Sequence, residues 1–65
     1  MKQKNRTQII NQATNAMAFY KNMKSELEIV KNMVNKSDVG LLNEINETIY
    51  MINNEIFILN KIIPN

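Results

Sequence analysis

Apolar residues recur along two long segments of the chain at alternating intervals of three and four residues. The first series consists of Ile9, Ala13, Ala16, Tyr20, Met23, Leu27, Val30 and Val34. The second series consists of Leu42, Ile45, Ile49, Ile52, Ile56, Leu59 and Ile63. A sustained repeat of about 3.5 residues predicts helices that pack along a seam with coiled-coil-like heptads, whereas strands alternate with a period of two. We therefore expect an all-α protein.

One internal segment, Asn35–Gly40, combines Asn, Ser, Asp and Gly, which are typical of turns and helix caps. Either Ser37 or Asp38 is expected to cap the helix that follows it, and Pro64 to end that helix. The predicted single domain comprises a basic, frayed arm over residues 1–8, a helix over 9–35, a turn over 36–40 and a helix over 41–63. Because the connection is short, the predicted hairpin is antiparallel.

The second helix carries more apolar residues than one seam can use. Met51, Ile58 and Ile62 extend the apolar arc on one flank to about 160°, which is enough for two neighbours. Tyr50 and Phe57 form a separate ridge on the other flank, behind a column of asparagines. This surplus predicts a homodimer in which two hairpins form a four-helix bundle. A different protein covering the same face, a longer filament, and a helix continuing through Gly40 are the alternatives.

Composition narrows the chemistry that the chain can perform. The 65 residues include no cysteine and no histidine, so disulfides and metal sites built from thiolate or imidazole are excluded. No catalytic constellation is present, and nothing in the sequence supplies a nucleophile with a base. We therefore expect no enzymatic activity, no cofactor and no metal. A chain this short usually needs a further source of stability, which leaves self-association or a partner.

The same composition bears on localisation. The longest run of large aliphatic or phenyl side chains is Ile56–Leu59, whereas a membrane span needs about 20 apolar residues. Near the start, the pair Ile9-Ile10 is followed by Asn11 and Gln12, so no apolar core of a signal peptide forms. The predicted protein is cytoplasmic and does not contact a membrane.

Charge is distributed unevenly between the two halves of the chain. Residues 1–25 contain no acidic residue, and their basic residues are candidate nucleic-acid contacts: Lys2, Lys4, Arg6, Lys21 and Lys24. Dimeric helical hairpins of the Rop type, which bind RNA with one helical face, are similar to this chain in size and predicted architecture. That resemblance implies a dimeric nucleic-acid-binding regulator as the alternative function. Against it, the net charge is only +2, and no basic stripe follows one predicted face.

The surplus apolar residues favour a protein-interaction function. Aromatic and methionine side chains are enriched where proteins meet, so the predicted partner-binding residues are Tyr50, Phe57, Met51 and Ile58. The sequence thus predicts a small non-enzymatic module that acts as inhibitor, adaptor or regulator of an unidentified protein. Its size and its richness in Asn and Ile would suit a phage, plasmid or bacterial regulator.

Overall fold

The computed structural model describes residues 5–64 and consists of two α-helices that pack against each other. Helix α1 spans Arg6–Met33 and helix α2 spans Val39–Ile62. The predicted all-α, two-helix hairpin is therefore confirmed. The molecule measures 53 × 21 × 17 Å, and its radius of gyration is 15.6 Å. A globular chain of this length has a radius of about 11 Å, so the hairpin is markedly elongated.

Helix α1 begins three residues before the predicted start because of a cap that the apolar pattern does not reveal. The side chain of Asn5 accepts a hydrogen bond from the backbone N–H of Thr7 at 2.7 Å. Asparagine is among the best N-cap residues, since its side chain satisfies a backbone donor that has no partner in the helix. Arg6 and Gln8, predicted to lie in a frayed arm, are therefore helical. Residues 1–4 of that arm lie outside the described residues.

The turn between the helices is held by two side chains. Asn35 Oδ1 accepts hydrogen bonds from the backbone N–H of Ser37 at 3.0 Å and from its hydroxyl at 2.9 Å. Asp38 Oδ1 accepts a hydrogen bond from the backbone N–H of Leu41 at 3.2 Å, so Asp38, and not Ser37, caps α2. Gly40 lies in the first turn of α2 rather than in the connection.

The core lies along the seam between the two helices. Five side chains are buried: Ala13, Met17, Ile45, Ile49 and Ile52. On the α2 side, all seven residues of the predicted apolar series are buried or half-buried, and every residue within α2 outside that series is exposed. The seam face of α2 therefore coincides with its apolar series.

Helix α1 is turned relative to the predicted seam. The predicted column that begins at Ile9 and ends at Val30 is exposed at both of those residues, each at 44%. The column on the other side of Ala13 is covered instead along its whole length, and it consists of Ile10, Met17, Lys24 and Lys31. Met17 is larger than Ala16 and fills the seam better. The aliphatic stems of the half-buried lysines can cover apolar surface while their ammonium groups stay in water.

Gly40 gives a direct test of the α2 start. A methyl group added to Gly40 would meet nothing within 4 Å, and the residue does not adopt a positive φ. Gly40→Ala should therefore raise the free energy of unfolding by about 0.5–1 kcal/mol, measured by urea denaturation, because alanine favours the helix. The exposed Ala18→Gly in α1 is the reciprocal control and should lower it by a similar amount. If Gly40→Ala instead lowered the free energy of unfolding, residue 40 would not be part of the helix.

The turned seam of α1 makes a second prediction. Lys24→Ala removes a half-buried stem and should lower the free energy of unfolding by about 0.5–1 kcal/mol. Lys24→Met keeps an apolar stem and should cause no loss. Lys21→Ala, at an exposed position three residues earlier, should stay within about 0.5 kcal/mol of the native chain. Equal effects of the two alanine substitutions in chemical denaturation would contradict the observed rotation of α1.

Candidate interaction faces

Two packed helices leave a groove on each side of their seam, and the residues along these grooves show which flanks share a face. One groove is lined by Lys21, Lys24, Ser25, Glu28, Asn53 and Ile56. The lysine-bearing flank of α1 therefore lies beside the asparagine column of α2, which consists of Asn46, Asn53 and Asn60. Near the turn, a second hollow on the same side is lined by Lys31, Asn32, Val34, Lys36 and Leu42.

We call this side of the hairpin the lysine face. Lys61 belongs to it as well, because its Nζ atom lies 4.8 Å from the centroid of the Phe57 ring. The described lysines thus lie along or beside this side of the molecule: Lys21, Lys24, Lys31 and Lys36 line the two hollows, and Lys61 lies at its edge beside Phe57. The expectation that no basic stripe follows one predicted face stays a prediction.

Two aromatic side chains stand at the edge of the lysine face. Tyr50 and Phe57 are seven residues apart on α2, on the flank beyond the asparagine column, and are 69% and 62% exposed. Glu28 lies in the groove with the lysines, and Glu47 lies on the outer surface of α2 nearby. The lysine face therefore combines a positive charge with exposed aromatic rings and neutral amides.

The opposite side of the hairpin is apolar, and we call it the apolar face. At 100° per residue, the remaining flanks of the two helices must share this side. They hold eight of the twelve large apolar side chains that are exposed among residues 5–64. These eight are Ile9, Phe19, Val30, Met33, Leu41, Met51, Ile58 and Ile62. Nothing in residues 5–64 covers them.

Charged residues on the apolar face are all of one sign. Glu26 lies on the α1 flank, and Glu44 and Glu55 lie on the α2 flank. No lysine of the described residues lies on this side. The described lysines therefore lie away from the apolar face, whereas carboxylates lie on both sides of the hairpin.

The four predicted partner-binding residues are all exposed, but they do not form one surface. Met51 and Ile58 lie on the apolar face, whereas Tyr50 and Phe57 lie on the lysine face. Their spacing along α2 already separates them on a helical wheel, and the packing of α1 assigns each pair to its groove. Their role in binding a partner stays a prediction.

The predicted nucleic-acid contacts are only partly brought together. Lys21 and Lys24 line one groove, whereas Arg6 lies at the start of α1, away from it. Lys2 and Lys4 fall outside the described residues. Lys31 was missed as a member of this group, although it stands seven residues after Lys24, the spacing of one helical column.

The described residues expose chemical groups that can bind other molecules. In residues 5–64, no three His, Cys, Asp or Glu side chains come together in a way that could hold a metal ion. Neither described helix is both long and apolar enough to cross a membrane. What the two faces present are ammonium donors, amides, aromatic rings and aliphatic side chains.

No protein family, curated protein or solved structure matches this chain. Function is therefore inferred from the two faces and from the side chains that each presents.

Proposed function

We propose that this chain is a small non-enzymatic interaction protein that works as a homodimer. Two hairpins join through their apolar faces into a four-helix bundle with coiled-coil-like packing. The dimer then acts as inhibitor, adaptor or regulator of a partner protein by covering part of that partner's surface. The observation that carries the proposal is the concentration of eight exposed apolar side chains on one face of the hairpin.

The amount of exposed surface supports an association of this kind. The chain has a solvent-accessible surface of 5546 Å². A compact monomer of 7.6 kDa exposes about 4,300 Å², so the hairpin exceeds that area by about 1,200 Å². A standard protein interface buries about 800 Å² on each partner. The hairpin therefore has more than enough surplus surface to form one stable interface.

The carboxylates on the apolar face would place like charges in the interface of the proposed dimer. In a symmetric dimer the same surface of both copies meets, so Glu26, Glu44 and Glu55 of both copies enter one interface, and no lysine of residues 5–64 lies on that surface to offset them. Apolar burial then drives association, and repulsion between like charges opposes it. Salt screens such repulsion and should strengthen the dimer.

Association through the apolar faces leaves the lysine faces on the outside of the bundle. Each copy then presents Tyr50 and Phe57 together with the lysines, and this outer surface is the proposed docking site for the partner. Exposed aromatic side chains contribute strongly to binding energy at protein interfaces.

The second candidate function is a dimeric nucleic-acid-binding regulator of the Rop type. The gathering of five lysines on one face is the observation that favours it. It requires binding to RNA or DNA that weakens steeply as salt is raised. Glu28, which lies in the groove with Lys21 and Lys24, reduces the attraction for phosphates.

Adjacent residues of α2 offer a matched test of the dimer. Ile58 lies on the apolar face and Phe57 on the lysine face, and both are more than half exposed in the hairpin. Ile58→Asn should weaken dimerisation by about tenfold or more, since burying such a side chain contributes about 1.5–3 kcal/mol. Phe57→Asn should leave the dimer intact. Sedimentation equilibrium measures both dissociation constants, and circular dichroism verifies that both variants stay helical.

Two results of that experiment would contradict the proposed dimer. One is a native chain that sediments as a 7.6 kDa monomer at all concentrations up to the millimolar range. The other is a dimer that is weakened by Phe57→Asn and left unchanged by Ile58→Asn, because the lysine face would then join the copies.

The carboxylates provide an independent prediction for the same interface. Glu55→Gln should tighten the dimer about two- to fivefold, because it removes a repelling pair of charges worth roughly 0.5–1 kcal/mol. Glu47→Gln is the matched control, since Glu47 lies on the outer surface of α2. Raising sodium chloride about tenfold should tighten the native dimer and have less effect on the Glu55→Gln dimer. A dimer that salt loosens would contradict the proposed like-charge interface.

A further inference from the structure

We propose that the lysine face is a docking site for an acidic amphipathic helix of another protein. This inference rests on the proposed function, because it names the chemistry of the partner that the outer surface of the dimer would bind. It draws on the charge of the face, on the spacing of its side chains and on the position of its aromatic rings.

Charge selects an acidic partner. Five lysines and two glutamates, Glu28 and Glu47, stand on or beside the lysine face, so its net charge is positive. Lys24 and Lys31 are half-buried along the seam, which limits the freedom of their side chains before any partner arrives. Complementary charge speeds association and disfavours partners of the wrong sign.

Spacing selects a helix rather than an extended segment. Lys24 and Lys31 are seven residues apart in α1, and Tyr50 and Phe57 are seven residues apart in α2. Each pair therefore spans about 10.5 Å along nearly parallel lines. A partner helix with acidic residues at intervals of seven, and apolar residues in a neighbouring column, can meet both pairs at once.

The aromatic ridge of Tyr50 and Phe57 is the reason for expecting apolar residues on the partner helix. The rings of Tyr50 and Phe57 would contact the partner's apolar column, while the asparagine column between the ridge and the lysines supplies amide donors and acceptors. Lys61 lies over one face of the Phe57 ring at 4.8 Å. That contact leaves the other face and the edge of the Phe57 ring open to the partner's apolar column.

The test measures binding of the dimer of this 65-residue chain to a fluorescent synthetic helix. The probe is a peptide of about six helical turns with glutamates at every seventh position and leucines in the adjacent column. A second peptide replaces each glutamate by lysine, and an RNA duplex of about 20 base pairs serves as the competing class of ligand. Fluorescence anisotropy gives the three affinities, and sedimentation of the same samples reports the dimer.

Two substitutions at exposed positions locate the binding surface. Lys21→Gln should weaken binding of the acidic peptide about three- to tenfold, and Tyr50→Ala at least about tenfold. Arg6→Gln removes the same charge outside the groove and should leave the affinity unchanged. Ile58→Leu is a conservative control on the opposite face.

The proposal is supported if the acidic peptide binds best and shows this pattern of losses. It is overturned if the lysine-substituted peptide binds equally well, if no peptide binds at low salt, or if the RNA duplex binds more tightly and loses affinity with Lys21→Gln. In each of these cases, a dimer that persists in sedimentation shows that the docking inference has failed and that the proposed self-association has not. A monomeric native chain would instead show that the proposed function has failed.

Discussion

The packing of α1 against one strip of α2 is the interaction on which the rest of the molecule depends. Ile45, Ile49 and Ile52 form a continuous buried strip of α2, and Ala13 and Met17 are the buried residues of α1. This contact sets how α1 is turned about its axis. That rotation of α1 decides which of its side chains flank each groove. It therefore also decides which face is basic and which is apolar.

The seam face of helix α2 was predictable because no other face of this helix is as uniformly aliphatic. Every seam position from Leu42 to Ile63 is a leucine or an isoleucine, and the neighbouring columns contain asparagine, glutamate or threonine at several positions. Removing large aliphatic side chains from water therefore favours one orientation of this helix strongly. Its capping residue was less certain, since Ser37 and Asp38 are both suitable and only the hydrogen bond to Leu41 distinguishes them.

Helix α1 was harder to predict because two columns compete for the same place in the seam. Hydropathy favours the column that contains Met23 and Val30 over the one that contains Lys24 and Lys31. It does not count the aliphatic part of a lysine side chain, which covers apolar surface well. The position of the lysines beside the groove depends on this rotation and could not be read from the spacing of apolar residues alone.

A hairpin with two unlike faces can divide two tasks between them, and the proposed account assigns self-association to the apolar face and recognition to the lysine face. Isotope-filtered nuclear Overhauser spectroscopy on a mixed dimer, with methionine methyl groups labelled in one copy, tests that assignment most directly. The account predicts contacts between copies from the methyl groups of Met33 and Met51, and none from the rings of Tyr50 and Phe57. Contacts between copies at those rings, with none at Met51, would contradict it.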